Sequence, residues 1–201
     1  MKSITRIIFG IIALVNAYSV SAAEEGAKLD RQLCSICHGA GGTTSSELFP
    51  QLAGQPATYV TNQIKAFRDK SRSDENAQRF MWGISSRLTD SDIESLAKYY
   101  EAQQPLHSGK ISDQSKYELG KSIFTMGHPE KNVPACIACH GEKGEGKDAT
   151  PRLGGQHEAY LKRQLKVFYG NGRPAGIAMH EIVKGLTERD VDAVAEYLKA
   201  Q

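Results

Sequence analysis

One residue pattern occurs twice along this chain, in the same order and nearly end to end, so any fold it adopts must be a fold built twice. In the first half, Cys34-Ser35-Ile36-Cys37-His38-Gly39 is followed by Pro50-Gln51-Leu52-Ala53-Gly54-Gln55, then by Tyr59, Gln63, Phe67 and Arg72. The second half answers with Cys136-Ile137-Ala138-Cys139-His140-Gly141 and Pro151-Arg152-Leu153-Gly154-Gly155-Gln156, then Tyr160, Gln164, Phe168 and Arg173. Each half next reaches a methionine, Met81 or Met179, seven residues before a leucine, Leu88 or Leu186.

Both halves close on a helix pattern. Thr89-Asp90-Ser91-Asp92 and Thr187-Glu188-Arg189-Asp190 supply a hydroxyl and early acids that can cap free backbone N–H groups. Behind them, Ile93, Leu96, Ala97 and Tyr100, like Val191, Val194, Ala195 and Leu198, recur at i, i+3, i+4 and i+7, one apolar stripe of a helix. Val60, Ile64 and Phe67, matched by Leu161, Leu165 and Phe168, predict a middle helix after each Gly-Gln turn. No strand alternation competes, so the fold class is all-α, twice over. The Pro, Gly and Ser residues between Gln103 and Asp113 have a linker's composition. The expected division is domain 1 over 24–104, a linker over 105–113 and domain 2 over 114–201.

Residues 1–23 read as a leader outside this scheme. Lys2 and Arg6 precede an apolar run from Ile7 to Tyr18, and small residues up to Ala22 and Ala23 follow, the order of a secretory signal cleaved after about residue 22 or 23. The run is too short for a comfortable bilayer span. Of 25 basic and 23 acidic residues, the leader holds Lys2 and Arg6, which leaves 23 of each in the mature chain. A balanced chain without Lys/Arg runs has no clustered positive field for nucleic acid.

The chemistry lies in the cysteines. All four fall in two C-x-x-C-H runs, the attachment pattern of a c-type haem. Thiols three residues apart on one helical turn can add to the two vinyl groups, while the adjacent histidine turns to the iron. Two local disulfides are the plain alternative in an exported chain. A thioredoxin-like site wants a βαβ context that is missing, and cysteine pairs about a hundred residues apart make a poor zinc ribbon. The expected cofactors are therefore two covalent haem c groups. After the leader only Met81, Met126 and Met179 remain, and only Met81 and Met179 stand in register, so His38/Met81 and His140/Met179 are the expected axial pairs. His180, next to Met179, is the rival ligand at the second iron; His107, His128 and His157 read as surface groups. A thioether ligand favours reduced iron, and two filled axial positions suit outer-sphere electron transfer while leaving no open site for a substrate.

With both C-x-x-C-H runs, both methionines and the two Pro-x-Leu-(Ala/Gly)-Gly-Gln segments in place, the whole mature chain resembles the di-haem cytochrome c4 family. The resemblance implies two tandem class I cytochrome c domains, each wrapped around one haem held by Cys34 and Cys37 or by Cys136 and Cys139. It implies a periplasmic electron carrier, soluble or loosely membrane-associated, rather than an enzyme. The partners it implies are redox proteins of a respiratory chain: a quinol-oxidising complex as donor, a terminal oxidase or a dehydrogenase on the other side. It further implies that the carbonyls of Pro50 and Pro151 accept the Nδ1–H of the haem histidines. Tyr59, Tyr160, Gln63 and Gln164 are then expected near the haem rims, with Arg72 and Arg173 pairing with propionates. The alternatives are the cytochrome subunit of a larger oxidoreductase and a di-haem peroxidase-type enzyme, which needs one five-coordinate iron and an acid-base residue above it. Two departures mark the halves as unequal: three extra residues lie between Arg72 and Met81, and Trp82 stands where the second half has His180.

Overall fold

The computed structural model describes residues 23–106 and 109–201; the segment read as a leader and His107 lie outside it, apart from residue 23. The first half begins with a helix over 23–29 (α1), which widens into a π-type turn at Asp30–Cys34 and runs on into α2, Ser35–His38. Then follow α3 (Ala57–Arg68), a second wide turn at Ala77–Met81, α4 (Trp82–Ser85) and α5 (Asp90–Glu101). The second half repeats the order with α6 (Gln114–Met126), α7 (Ile137–His140), α8 (Glu158–Val167), α9 (Ile177–Lys184) and α10 (Glu188–Lys199). Among the described residues the only β-type pairing is two isolated bridges, and no helix is long and apolar enough to cross a membrane.

Each half has its own core. In the first, Val60 and Ile64 of α3 meet Leu88 and the stripe Ile93, Leu96, Ala97 and Tyr100 of α5. In the second, Ile123 and Phe124 of α6 and Leu161 of α8 meet Leu186, Val191, Val194, Ala195 and Leu198. The stripes read from the 3.6-residue period are the buried faces. α5 and α10 both start in a capping box: Thr89 Oγ1 accepts the Asp92 N–H at 3.2 Å while Asp92 accepts the Thr89 N–H at 2.9 Å, and Thr187 with Asp190 repeats both distances.

The first helix of each half has no counterpart in the sequence reading. A glycine in mid-helix reads as a weakness, since it costs about 1 kcal/mol against alanine. Here Gly26 and Gly120 are what allow α1 to cross α5 and α6 to cross α10. A Cβ on Gly26 would run into the Ser95 carbonyl oxygen, and one on Gly120 into that of Ala193. Both partner atoms are helix backbone and cannot swing away.

The stretch 109–113, within the segment expected to be a linker, is pinned to α10. The Gly109 N–H donates to the Lys199 carbonyl at 3.0 Å, and the Asp113 N–H to the buried Glu196 carboxylate at 3.1 Å.

Two outcomes follow from this packing. Gly120→Ala is expected to cost about 1–3 kcal/mol or more through overpacking, read as a lower melting temperature of the holoprotein. Asp190 opposes burial, which would raise its pKa, with hydrogen bonds from Thr187 and Lys131 that hold its carboxyl below the usual range. Its stabilisation is therefore present at neutral pH and lost as pH falls through the depressed value. Asp190→Asn should cost about 1 kcal/mol at pH 7, a gap that closes in strong acid in a pH series of melting curves.

Candidate functional site

Each C-x-x-C-H run is folded the same way. Cys34 ends the wide turn after α1, and Cys37 and His38 lie on α2; Cys136 caps α7, which carries Cys139 and His140. None of the four cysteines is joined in a disulfide. Burial pushes the Cys34 thiol up and the Cys136 thiol up to about 11. Among the described residues, no group of three or more His, Cys, Asp and Glu side chains is placed to hold a metal ion.

Both histidines are buried, and burial lowers the pKa of each, against the opposing effect of the hydrogen bonds they donate to the Pro50 and Pro151 carbonyls. His38 Nδ1 lies 3.0 Å from the Pro50 carbonyl oxygen, and His140 Nδ1 lies 3.0 Å from that of Pro151. A carbonyl only accepts, so Nδ1 carries the proton in both rings and the lone pair is left on Nε2, the state in which a neutral imidazole binds a metal. Two free thiols three residues apart and an imidazole so oriented fit a covalently attached haem with histidine as one axial ligand.

Met81 closes the wide turn Ala77–Met81, and Met179 lies in the first turn of α9; both are half-buried. His180 is occupied otherwise, with Nδ1 2.6 Å from the Phe168 carbonyl oxygen and Nε2 3.0 Å from that of Arg173. Trp82 makes the matching bond in the first half, its indole N–H donating to the Arg72 carbonyl at 2.9 Å. The two unlike residues after the methionines thus hold the same point of the backbone.

The tyrosines, glutamines and arginines that repeat in register meet one another between the halves. Arg72 donates to Gln63 of its own half at 2.7 Å and to Gln164 of the other at 2.8 Å. Arg173 donates to Gln164 at 2.8 Å, and across the interface to Gln63 and the Tyr59 hydroxyl at 3.1 Å each. Each guanidinium stacks on the phenylalanine of its own half, Phe67 or Phe168, at 4.6 Å. Burial raises the Tyr59 pKa, but the guanidiniums of Arg173 and Arg72 bring it below its ordinary value. Nothing in the spacing of either half shows this meeting, because it depends on how the halves are placed. The three extra residues of the first half belong to the segment that carries Asp74, buried and 3.0 Å from Arg72 Nε; the second half has no such acid.

Gln55 and Gln156, the last residues of the Pro-x-Leu segments, form a reciprocal clasp. Gln156 accepts the Gln51 N–H at 2.9 Å and donates to the Gln51 carbonyl at 3.0 Å. Gln55 accepts the Arg152 N–H at 3.0 Å and donates to the Arg152 carbonyl at 2.8 Å. Gln51 and Arg152 directly follow the prolines that orient the histidines, so each half steadies the other's histidine-bearing site. His157, read as a surface group, joins this interface: its Nε2 lies 3.0 Å from the Thr44 carbonyl oxygen and 3.0 Å from Gln51 Nε2.

The model of the family described as cytochrome c matches residues 23–102 and again 117–201. Cytochrome c4 of Pseudomonas stutzeri, whose reduced recombinant form has a crystal structure, is 31% identical, with 89% of this chain and 97% of that one covered at a TM-score of 0.79. The chain belongs to the cytochrome c4 family. It is thus an electron-transfer protein of two tandem cytochrome c domains with two covalent haem c groups, and not an enzyme. Cytochrome c-552 of Acidithiobacillus ferridurans is 38% identical over 169 residues, 83% of this chain and 73% of the relative. A protein of Thiomonas intermedia named thiosulfate dehydrogenase electron acceptor is 35% identical over 176 residues, 84% of this chain and 78% of the relative.

The clasp gives a symmetric expectation. Gln55→Ala removes two hydrogen bonds to partly buried backbone and Gln156→Ala three, the third being that of the His157 N–H; each should cost about 1–3 kcal/mol in holoprotein melting, whereas the exposed Gln78→Ala should change stability little.

Proposed function

We propose that the chain is a periplasmic carrier that takes single electrons from one redox protein and passes them to another, through two haems ligated by His38/Met81 and His140/Met179. Cys34 and Cys37 hold the first haem and Cys136 and Cys139 the second, in domains spanning 24–104 and 114–201 joined by 105–113. The observation that carries the reading is the bond from histidine Nδ1 to the proline carbonyl, made at 3.0 Å in both halves beside two free thiols. When bound, each haem supplies one-electron exchange at its iron; the protein's part is to hold the iron's ligands still. Pro50 and Pro151 fix the imidazole planes, and the crossed glutamines keep those prolines from shifting. Rigid ligation lowers the structural reorganisation that would otherwise slow each electron transfer.

Export across the membrane after cleavage of the 1–23 leader is part of this reading, supported by the charge, apolar and small-residue order of that segment. The donor is a quinol-oxidising complex and the acceptor a terminal oxidase of the respiratory chain. A second arrangement, service as electron acceptor to a dehydrogenase, is supported by the likeness to the Thiomonas protein, whose name states that role.

Optical and near-infrared spectra of oxidised and reduced holoprotein, with a haem count, test the ligand set. Two covalent haems per chain are expected, each with a thioether-to-iron charge-transfer band and no response to peroxide. Met81→Ala and Met179→Ala should each remove one of the two bands. A band that survives its own variant would move that ligand elsewhere, and a high-spin signal in the unaltered protein would turn the reading towards an enzyme.

A further inference from the structure

The two halves match closely enough that their differences can be placed residue against residue, and one lies beside a haem-attachment site. Four residues after the glycine of each helix crossing, the second half has Phe124, 0% exposed, and the first has Asp30, 1% exposed. On the last helix, Leu198 in the second half stands in register with Tyr100 in the first. Two buried apolar residues of the second core, Phe124 and Leu198, thus have a buried acid and a phenol in their places in the first.

Asp30 is held by donors alone. The Tyr100 hydroxyl reaches Oδ1 at 2.8 Å, while the Gly41 N–H at 3.0 Å and the Tyr99 hydroxyl at 3.5 Å reach Oδ2. Burial, with Cys34 and Asp30 nearby, raises the Tyr100 pKa strongly, so the phenol keeps its proton and donates it. This is the setting of an ionised carboxylate, which only accepts. No cation among the described residues pairs with Asp30, whereas the other buried acids have one: Asp74 with Arg72, Asp190 with Lys131 and Glu196 with Lys199. The charge lies one helical turn before Cys34, at the head of the wide turn that runs on into the helix bearing Cys37 and His38.

We propose that Asp30 is a fixed charge that lowers the reduction potential of the first haem below that of the second. Loss of one electron adds one positive charge at the iron. A negative charge buried nearby in low dielectric stabilises that oxidised state, and Phe124 gives the second iron no such support. With both haems bound, an electron supplied to the first iron by an external one-electron donor would run downhill to the second, the first being reoxidised as the second is reduced. This inference rests on His38 and Cys34 serving the first haem.

The test is a spectroelectrochemical titration of the holoprotein. The unaltered protein should show two one-electron waves whose separation persists at about 1 M salt, where the Debye length of about 3 Å removes surface-charge effects but not buried ones. Asp30→Asn should move the lower wave up and leave the upper in place, and Asp30→Glu, which keeps the charge, should stay near the unaltered value. A single wave, a separation that collapses in salt, movement of the upper wave, or equal shifts in both variants would overturn the proposal. If Asp30→Asn yields no holoprotein, the salt series and Asp30→Glu still decide. Loss of a haem or of a methionine band in the unaltered protein would strike the ligand assignment instead.

Discussion

The hydrogen bond from each buried histidine to a proline carbonyl organises most of what surrounds it. It sets the tautomer, and with it which nitrogen faces a metal. The carbonyl must then be held, and the chain does so from the next residue: Gln51 and Arg152 are gripped on both backbone polar groups by a glutamine of the other half. The site of each domain is therefore completed by its neighbour. The Pro-x-Leu-x-Gly-Gln segment serves both tasks, since its first residue orients a ligand and its last reaches across.

Symmetry of this kind makes departures from it informative. Trp82 and His180 differ in size and chemistry yet hold equivalent carbonyls, so that difference is absorbed by the fold. Asp74 gives Arg72 a buried partner that Arg173 lacks, and leaves the shared network with two guanidiniums and one carboxylate. Asp30 is a third departure, the exchange of an apolar residue for a charge. One of the three adjoins the expected ligand Met81, one lies in the network between the halves and one stands a helical turn before Cys34.

Much of the fold was legible in the residues. The middle and last helices followed from apolar stripes, and the starts of α5 and α10 from their threonines, because those signals are local. The first helices were not legible. α1 adjoins the leader and runs without a break into the cysteine motif, and the glycines that permit close crossing look like interruptions until the facing carbonyl is known. The histidine–proline bond was anticipated from the family resemblance and is present in both halves. The Tyr-Gln-Arg set shows the limit of such reading: its repetition marked it out, but its meeting across the domains depends on the relative placement of two bodies. Gln55 and Gln156 were visible as repeated residues whose task only that placement reveals.

The reciprocal clasp has a consequence for how such a chain arises. Equivalent residues grip equivalent residues, so the surface of one half is complementary to itself, as in a two-fold symmetric homodimer. A one-haem protein carrying this surface would pair with its own copy before any linker existed. Joining two copies end to end would keep the contact, fix the stoichiometry and free each copy to change independently. The exchange of Asp30 for Phe124 is the kind of difference that only the joined form can hold, because in a homodimer both sites must carry the same residue.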